Sequence, residues 1–304
     1  MAIDKTGLLT YVDNNVNELI TKAKVGAPSV KYFNKMLNVK GATTLNLMEI
    51  NGKLKPLGCE ATDSATTKLS QRTIDAKPLE LSTDWCIKDF VGTFAQHNLM
   101  MEAGLEELPF GEKLANALVD AAVEEVEKTI WQGDTTTGNY QAFDGIIKLA
   151  EAATLASTVT YAAEETITSI VNKIRNAMPE AVYSAGHTPC IFMGADAYDK
   201  YMQELVANGN IVMNVAGWDK ISAPEYVIAP ASRGIRVYGV PGLSNTGKFF
   251  GSYAENFFYG TDLEDALSTV TIDEKNHRKY VGTIITVAGV QIAFPDLVVE
   301  AKAA

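Results

Sequence analysis

Cysteine, histidine, long apolar runs and positive charge are all scarce in this 304-residue chain. No segment approaches the roughly 18 apolar residues that a membrane-spanning helix needs. The most apolar stretch, 282–294, is broken by Thr283, Thr286 and Gln291. The opening MAIDKTGLLTYVDNN has no apolar core, so a secretory signal is not expected. The three cysteines, Cys59, Cys86 and Cys190, are odd in number and far apart, which argues against a disulfide framework or a zinc cluster and fits a reducing cytoplasm. The three histidines, His97, His187 and His277, have no second ligand three or four residues away, which excludes helix-borne zinc motifs. Lys and Arg number 26 against 37 Asp and Glu, a net charge of −11, and the only close basic pair is Arg278-Lys279. A protein that grips phosphates concentrates its cations, so this balance reads as a self-repelling, soluble surface.

What remains is globular. Hydrophobic residues are 47% and charged residues 21%, and the length suggests roughly two domains. Val12, Val16, Leu19, Ile20 and Ala23 predict a short helix that Gly26-Ala27-Pro28 ends. TLNLMEI, then Asn51-Gly52, then KLKPLG predicts a hairpin with its turn at Asn-Gly. The stretch that follows, through residue 81, is polar and ends in the alternating Leu79-Glu80-Leu81. A hairpin of this kind is marginal alone, so it should lie over a neighbour. Residues 82–108 read as helical, with Ser82, Thr83 and Asp84 as cap candidates and Trp85, Ile87, Phe90 and Phe94 on the apolar side.

A long helix follows over 112–131. Leu114, Leu118, Ala122, Val126 and Ile130 recur at i+4, Glu124, Glu125, Glu127 and Lys128 occupy the other side, and Gly133 is a plausible stop. IWQGDTTTGNYQAFDGI is turn-rich. Near residue 160 a mixed αβαββ module begins. Its helices carry Ile167, Ile170, Val171, Ile174 and Met178, then Tyr198, Tyr201, Met202 and Leu205; Pro179 and Gly209 end them, with PCIFM a strand between. Glu164 and Glu165 are expected in the first turn of the first of these helices. The final part, STVTID and KYVGTIITVAGVQIAF, is extended and β-branched.

Several motifs suggest chemistry and are better read otherwise. Gly242-Leu243-Ser244-Asn245-Thr246-Gly247-Lys248 has phosphate-loop spacing, but Phe249 stands where a magnesium-binding hydroxyl belongs and no helix opens there, so it reads as a surface turn. Ser184 and His187 read as a loop pair, Cys190 as a core residue, and Asp262, Glu264 and Asp265 as a solvated turn rather than a calcium loop. Glu102, Glu106 and Glu107 should face solvent, and Phe249-Phe250 with Phe257-Phe258-Tyr259 should be core. No catalytic residue, cofactor or metal site is expected.

The order of parts, carried by PLELSTDWCIKDF, Ile130-Trp131-Gln132-Gly133-Asp134, Phe143-Asp144-Gly145-Ile146, TPCIFMGADAYDKYMQEL, IRVYGVPGL and the closing TVTIDEKNHRKYVGTIITVAGVQIAFPDLVVEA, resembles the major capsid proteins of tailed bacteriophages, the Hong Kong ninety-seven-type fold. The resemblance implies an α+β fold. Residues 1–38 would be an N-terminal arm and 39–81 an extended loop. Residues 82–160 with 255–304 would form a peripheral domain holding the spine helix 112–131, and 161–254 an axial domain. It implies a structural, non-enzymatic protein that forms pentamers and hexamers around packaged double-stranded DNA, in a capsid assembled in the bacterial cytoplasm, away from membranes. Portal and scaffolding proteins, and possible decoration proteins, would be its partners. No long acidic helical leader is evident, so scaffolding is expected from another protein. Asn51, Gly52, Lys53, Lys55, Lys68, Arg72 and Lys77 are the subunit-interface candidates, although no local motif marks a cross-linking lysine. An encapsulin-like compartment shares the implied fold, and a nucleotide-dependent enzyme built on the glycine–lysine loop is the alternative from another class.

Overall fold

The computed structural model describes residues 26–52, 65–86, 110–137, 140–184, 186–209, 226–230, 232–262, 269–276 and 279–304. The fold is α+β; the described residues make two sheets, a two-stranded ribbon and one long helix. The short helix expected before Gly26 lies outside the described residues. So do 87–108, with Ile87, Phe90, Phe94, Glu102, Glu106 and Glu107.

The long helix, α1 (Phe110–Gln132), is present as the i+4 stripe predicts. Leu118, Ala122, Val126 and Ile130 are buried, while Glu124 and Glu125 are exposed. Its first half lies on a five-stranded sheet whose centre is β12 (Lys279–Ile292). Along β12, burial alternates with period two through its first half and then becomes continuous, as for a strand covered first on one face and then on both. It pairs with β10 (Phe257–Thr261), β11 (Thr269–Asn276) and β4 (Lys77–Cys86), all antiparallel, and β1 (Asn34–Met36) runs parallel to β10. Because β4 and β11 both pair with 279–285, they must flank β12 on opposite edges.

Residues 82–86 correct the helical expectation: they continue strand β4, with Ser82 opposite Thr283 and Trp85 opposite Tyr280. Leu81 and Trp85 are four apart, a spacing that shares a face in a strand as well as in a helix, so periodicity alone could not separate the two. Trp85 lies across Gly282, where an added Cβ would sit 2.4 Å from the indole Cη2 and 3.0 Å from Leu118 Cδ2. Gly282→Ala is therefore expected to cost about 1–3 kcal/mol by overpacking, read as a lower urea midpoint. An unchanged midpoint would contradict this packing.

The second sheet has six strands in the order β5-β13-β9-β6-β8-β7. These are β5 (Ser157–Tyr161), β6 (Pro189–Gly194), β7 (Val227–Ile228), β8 (Arg236–Val240), β9 (Phe249–Tyr253) and β13 (Val299–Ala303). The C-terminal strand β13 thus pairs with β5 and β9, although the sequence reading grouped it with the spine helix. Strand β6 is buried throughout. Ile191 and Met193 meet α3 (Ile167–Ala177) and α4 (Ala195–Ala207), while Cys190 and Phe192 meet the cluster around Trp131. A short helix, α2 (Ile146–Glu151), follows the turn-rich connection. Helix α3 starts one turn later than Glu164 and Glu165 suggested: Thr166 is its N-cap, accepting from Ser169 N, and Glu165 braces the end by accepting from Ser169 Oγ and pairing with Lys173. Met178 and Pro179 end it, and Gly209, at φ +64°, follows α4.

Candidate assembly interface

Strands β2 (Ala42–Gly52) and β3 (Ala65–Asp75) form an antiparallel ribbon of eleven paired positions, from Ala42 opposite Asp75 to Gly52 opposite Ala65. Its base is anchored. Leu45 and Ile74 are buried with Val39, Ala76 and Val287, and Gln291 Nε2 donates to Thr73 O at 2.6 Å. Gly289 permits the approach, since a Cβ there would lie 2.8 Å from Ala76 Cα. Further out the cover ends. Thr67, Lys68, Leu69, Ser70 and Gln71 are all exposed, so both faces of β3 meet solvent. On one face Gln71 Nε2 donates to Asn46 Oδ1 at 2.9 Å, and beside them Met48 stands opposite Leu69. These two side chains are 62% and 76% exposed, an apolar cross-strand pair in open water.

The expected turn at Asn51-Gly52 is not there. Both residues belong to β2, opposite Thr66 and Ala65, so the ribbon is longer than the tight hairpin predicted. Local turn preference yields to the pairing of β2 with the polar β3 strand. Lys53 and Lys55 lie outside the described residues. Lys68 and Arg72 share one face of β3, Lys68 exposed and Arg72 half-buried. Lys77 has moved off the ribbon into β4, opposite Ala288, and its Nζ lies 3.5 Å from Asp75 Oδ2. Reasoning from cations missed Met48 and Leu69, whose juxtaposition depends on strand register.

The chain segment leading to the ribbon is fastened by a buried carboxylate. Glu127 was expected on the solvent side of α1 and is instead 2% exposed. Ser29 donates to it twice, from N at 2.9 Å and from Oγ at 2.5 Å, and Gly242 N approaches at 3.4 Å. Trp131 Nε1 donates to Ser29 Oγ at 2.7 Å. Burial raises the Glu127 carboxyl above its ordinary value, against the lowering effect of these donors. One side chain therefore joins the segment before β1, helix α1 and the turn after β8.

The IWQGD and FDGI motifs form a second clasp at the end of α1. Gly133 and Gly145 touch back to back, with Gly145 N donating to Gly133 O at 2.8 Å. Asp134 and Asp144 both pair with Lys148, at 2.5 and 2.9 Å. The Lys148 hydrogen bond, with those from Thr136 and Thr137, holds the Asp134 carboxyl far below the usual range. For Asp144, burial pushes upward but the Lys148 and Thr135 hydrogen bonds win, and its carboxyl is also lowered.

The glycine–lysine loop is a turn, as the sequence suggested. Pro241–Leu243 is a single 3-10 turn, strand β9 rather than a helix follows, and Lys248 pairs with Glu151 and, at 3.2 Å, with Glu300. His187 stacks its ring on Tyr253 with centroids 4.2 Å apart, and its backbone N–H donates to Ser184 O, a loop arrangement. Cys190 is fully buried, and desolvation pushes its thiol well up. Phe249, Phe250, Phe257 and Tyr259 are core. Asp262 corrects the solvated-turn reading, being fully buried after β10; Glu264 and Asp265 lie outside the described residues, as do Cys59, His97 and His277. Among the described residues no group of three His, Cys, Asp or Glu side chains could hold a metal, and no helix is long and apolar enough to cross a membrane.

No family model matches the sequence, and no curated protein matches it. Its fold is similar to that of solved particle proteins. The satellite phage P4 procapsid chain matches with a TM-score of 0.61 at 11% identity, over 94% of this chain and 91% of that one. The capsid of Myoviridae phage XM1 matches at 0.54 and 10%, over 90% of each chain. The virus-like particle from Pyrococcus furiosus matches at 0.55 and 11%, over 96% of this chain and 99% of that one. The likeness spans nearly the whole chain, and the fold is that of phage capsid proteins.

Proposed function

We propose that the chain is the major capsid protein of a tailed double-stranded DNA bacteriophage, forming the pentamers and hexamers of an icosahedral head. The reading rests on the β2–β3 ribbon. On a fold shared with capsid chains, an eleven-pair ribbon reaches past its anchored base with both faces exposed and an apolar pair at Met48 and Leu69. A two-stranded ribbon is marginal alone in water, and burying two such side chains stabilises by about 1.5–3 kcal/mol each. Sister subunits supply that cover, and repeating it around a closed symmetric shell multiplies a modest contact into an obligate assembly. In this reading 1–38 is the arm, 39–81 the extended loop, 82–160 with 255–304 the peripheral part and 161–254 the axial part. The six-stranded sheet ties the last two together through β5 and β13. Portal and scaffolding proteins would be its partners, the host cytoplasm its place of assembly, and packaged DNA would be enclosed without sequence-specific binding.

Negative-stain electron microscopy of the purified protein is expected to show closed shells; a monodisperse monomer under all assembly conditions would overturn the reading. Nucleic acid in particles recovered from cells separates a phage head from a protein-filled compartment. The double variant Met48→Asp, Leu69→Asp is expected to keep the circular dichroism spectrum and thermal midpoint of the subunit but to lose the shells, because two unpaired carboxylates would meet a dry contact. Normal shells from that variant would show that this face of the ribbon stays in solvent.

A further inference from the structure

The sequence contains two Asn-Gly pairs, Asn51-Gly52 and Asn208-Gly209, and the fold holds them in opposite settings. In such a pair the asparagine side-chain amide is open to attack by the next main-chain nitrogen, because glycine puts no side chain in the path and lets the backbone turn freely. Asn51 and Gly52 are the last residues of β2, extended and paired with Thr66 and Ala65. Turning the peptide between them means opening the ribbon there. Asn208 and Gly209 stand at the end of α4 instead. Both are exposed, Asn208 is the C-cap with φ −85° and ψ 1°, and Gly209 has φ +64°. A Cβ added to Gly209 would meet nothing within 4 Å. The attacking nitrogen, Gly209 N, is held by its donation to Val206 O at 3.1 Å, a bond of the kind that frays first at a helix end.

Two other exposed asparagines lie in left-handed backbone, Asn38 at φ 62° and Asn245 at φ 61°. Each precedes a β-branched residue, Val39 and Thr246, whose side chain crowds the main-chain nitrogen that would attack. Exposure and backbone freedom therefore coincide with a following glycine at Asn208.

We propose that Asn208 is a site of spontaneous covalent modification in the folded protein, by deamidation through a succinimide formed with Gly209. Gly209 N gives up its proton and bonds to Asn208 Cγ. The Cγ–Nδ2 bond breaks, and the amide nitrogen leaves with that proton as ammonia. Water then opens the ring. Addition at Cγ leaves an ordinary aspartyl residue, and addition at the main-chain carbonyl leaves an isoaspartyl link that runs through the former side chain. Either product puts a carboxylate at the negative end of α4, whose last turn has no basic residue, four positions after Glu204. Glu204 is the acceptor at the start of α3, taking Ile167 N, Thr168 N and Thr168 Oγ1 at 2.9, 2.7 and 2.7 Å. The modification thus sets a like charge beside the contact that joins the two helices, and the isoaspartyl form also lengthens the main chain where it leaves α4. The site is complete within one chain and stands whether or not the chain assembles.

The test is to incubate the full-length protein in mildly alkaline buffer, sample it over time, and read each asparagine by peptide mass and by isoaspartyl methyltransferase labelling. Conversion at Asn208 is expected to outpace conversion at Asn51 by roughly tenfold or more, the worth of one further hydrogen bond of local opening. In concentrated guanidinium chloride the two Asn-Gly pairs should convert at similar rates, since sequence alone then acts. Asn208→Gln should remove most of the labelling of the folded protein, and Asn51→Gln should leave it unchanged. Asn208→Asp, which supplies the charge without the ring, should melt below Asn208→Gln; equal midpoints would remove the coupling to α3. Equal rates at Asn51 and Asn208 in the folded protein, faster conversion at Asn51, Asn38 or Asn245, or an Asn208 that stays intact while the denatured chain deamidates would each overturn the proposal.

Discussion

Leu118→Asp is expected to leave the chain unfolded. Leu118 is 4% exposed, in the middle of the stripe by which α1 meets the five-stranded sheet. It packs with Ala115, Val119 and Ala122 against Val270, Ile272, Tyr280 and Ile284, with Trp85 and Leu81 at the margin. Losing its burial removes about 2–3 kcal/mol of transfer free energy. The larger cost is the carboxylate. It would be enclosed by apolar side chains, so it would either remain charged at a cost of several kcal/mol or bind a proton far above its usual range. Together these approach the 5–15 kcal/mol that holds a typical domain folded. Far-ultraviolet circular dichroism and urea unfolding would read the result, with Leu118→Met, a volume-conserving change, costing less than about 1.5 kcal/mol as the control. An Asp variant with the parent's unfolding curve would mean that this side of the helix faces water.

That helix was also the most legible part of the molecule, because its information is local. Leu118, Ala122, Val126 and Ile130 repeat at one spacing, and the sheet beneath merely accepts the stripe they make. The β-branched alternation of β11 and β12 was legible for the same reason. Where two periods coincide, local pattern fails: Leu81 and Trp85 fit a helix and a strand equally, and only the pairing with β12 decides. Asn51-Gly52 carried a strong turn preference, yet eleven cross-strand pairs outweigh one favourable dipeptide. The ribbon's existence could be read from its composition, but its exposed contact pair could not. Met48 and Leu69 are 21 residues apart, and their meeting depends on the register of the whole ribbon. Glu127 is the extreme case. Nothing local distinguishes it from Glu124 and Glu125, and its buried setting depends on Ser29, 98 positions earlier, and Gly242, 115 positions later.

Glu127→Ala should therefore act on three parts of the chain at once. The substitution deletes the acceptor for Ser29 N, Ser29 Oγ and Gly242 N and leaves a small cavity beside Trp131, where an added Cβ on Gly242 would already lie 2.4 Å from Trp131 Cδ1. Removing the carboxylate also relieves its desolvation, so the net loss is smaller than the sum of the bonds, about 3 kcal/mol. Limited proteolysis should show the cost first at the N-terminal side, because Ser29 is the link between the segment before β1 and α1. Glu127→Gln keeps the size and one acceptor oxygen but turns an amide donor toward a backbone donor, and should fall between the two. The wild-type carboxyl also carries a pH signature. Its folded pKa is raised above the unfolded value of about 4.5, so the native state holds the proton more tightly than the unfolded chain does. The stability this contributes is complete below the unfolded pKa and is lost as pH rises through the folded one. Measured against Glu127→Gln, which cancels the other carboxylates, the wild-type advantage should shrink as pH climbs from about 4.5 toward neutrality. An advantage that grows over that range would mean the Ser29 and Gly242 donors outweigh burial, and Glu127 would then be a charged anchor rather than a proton-sensitive one.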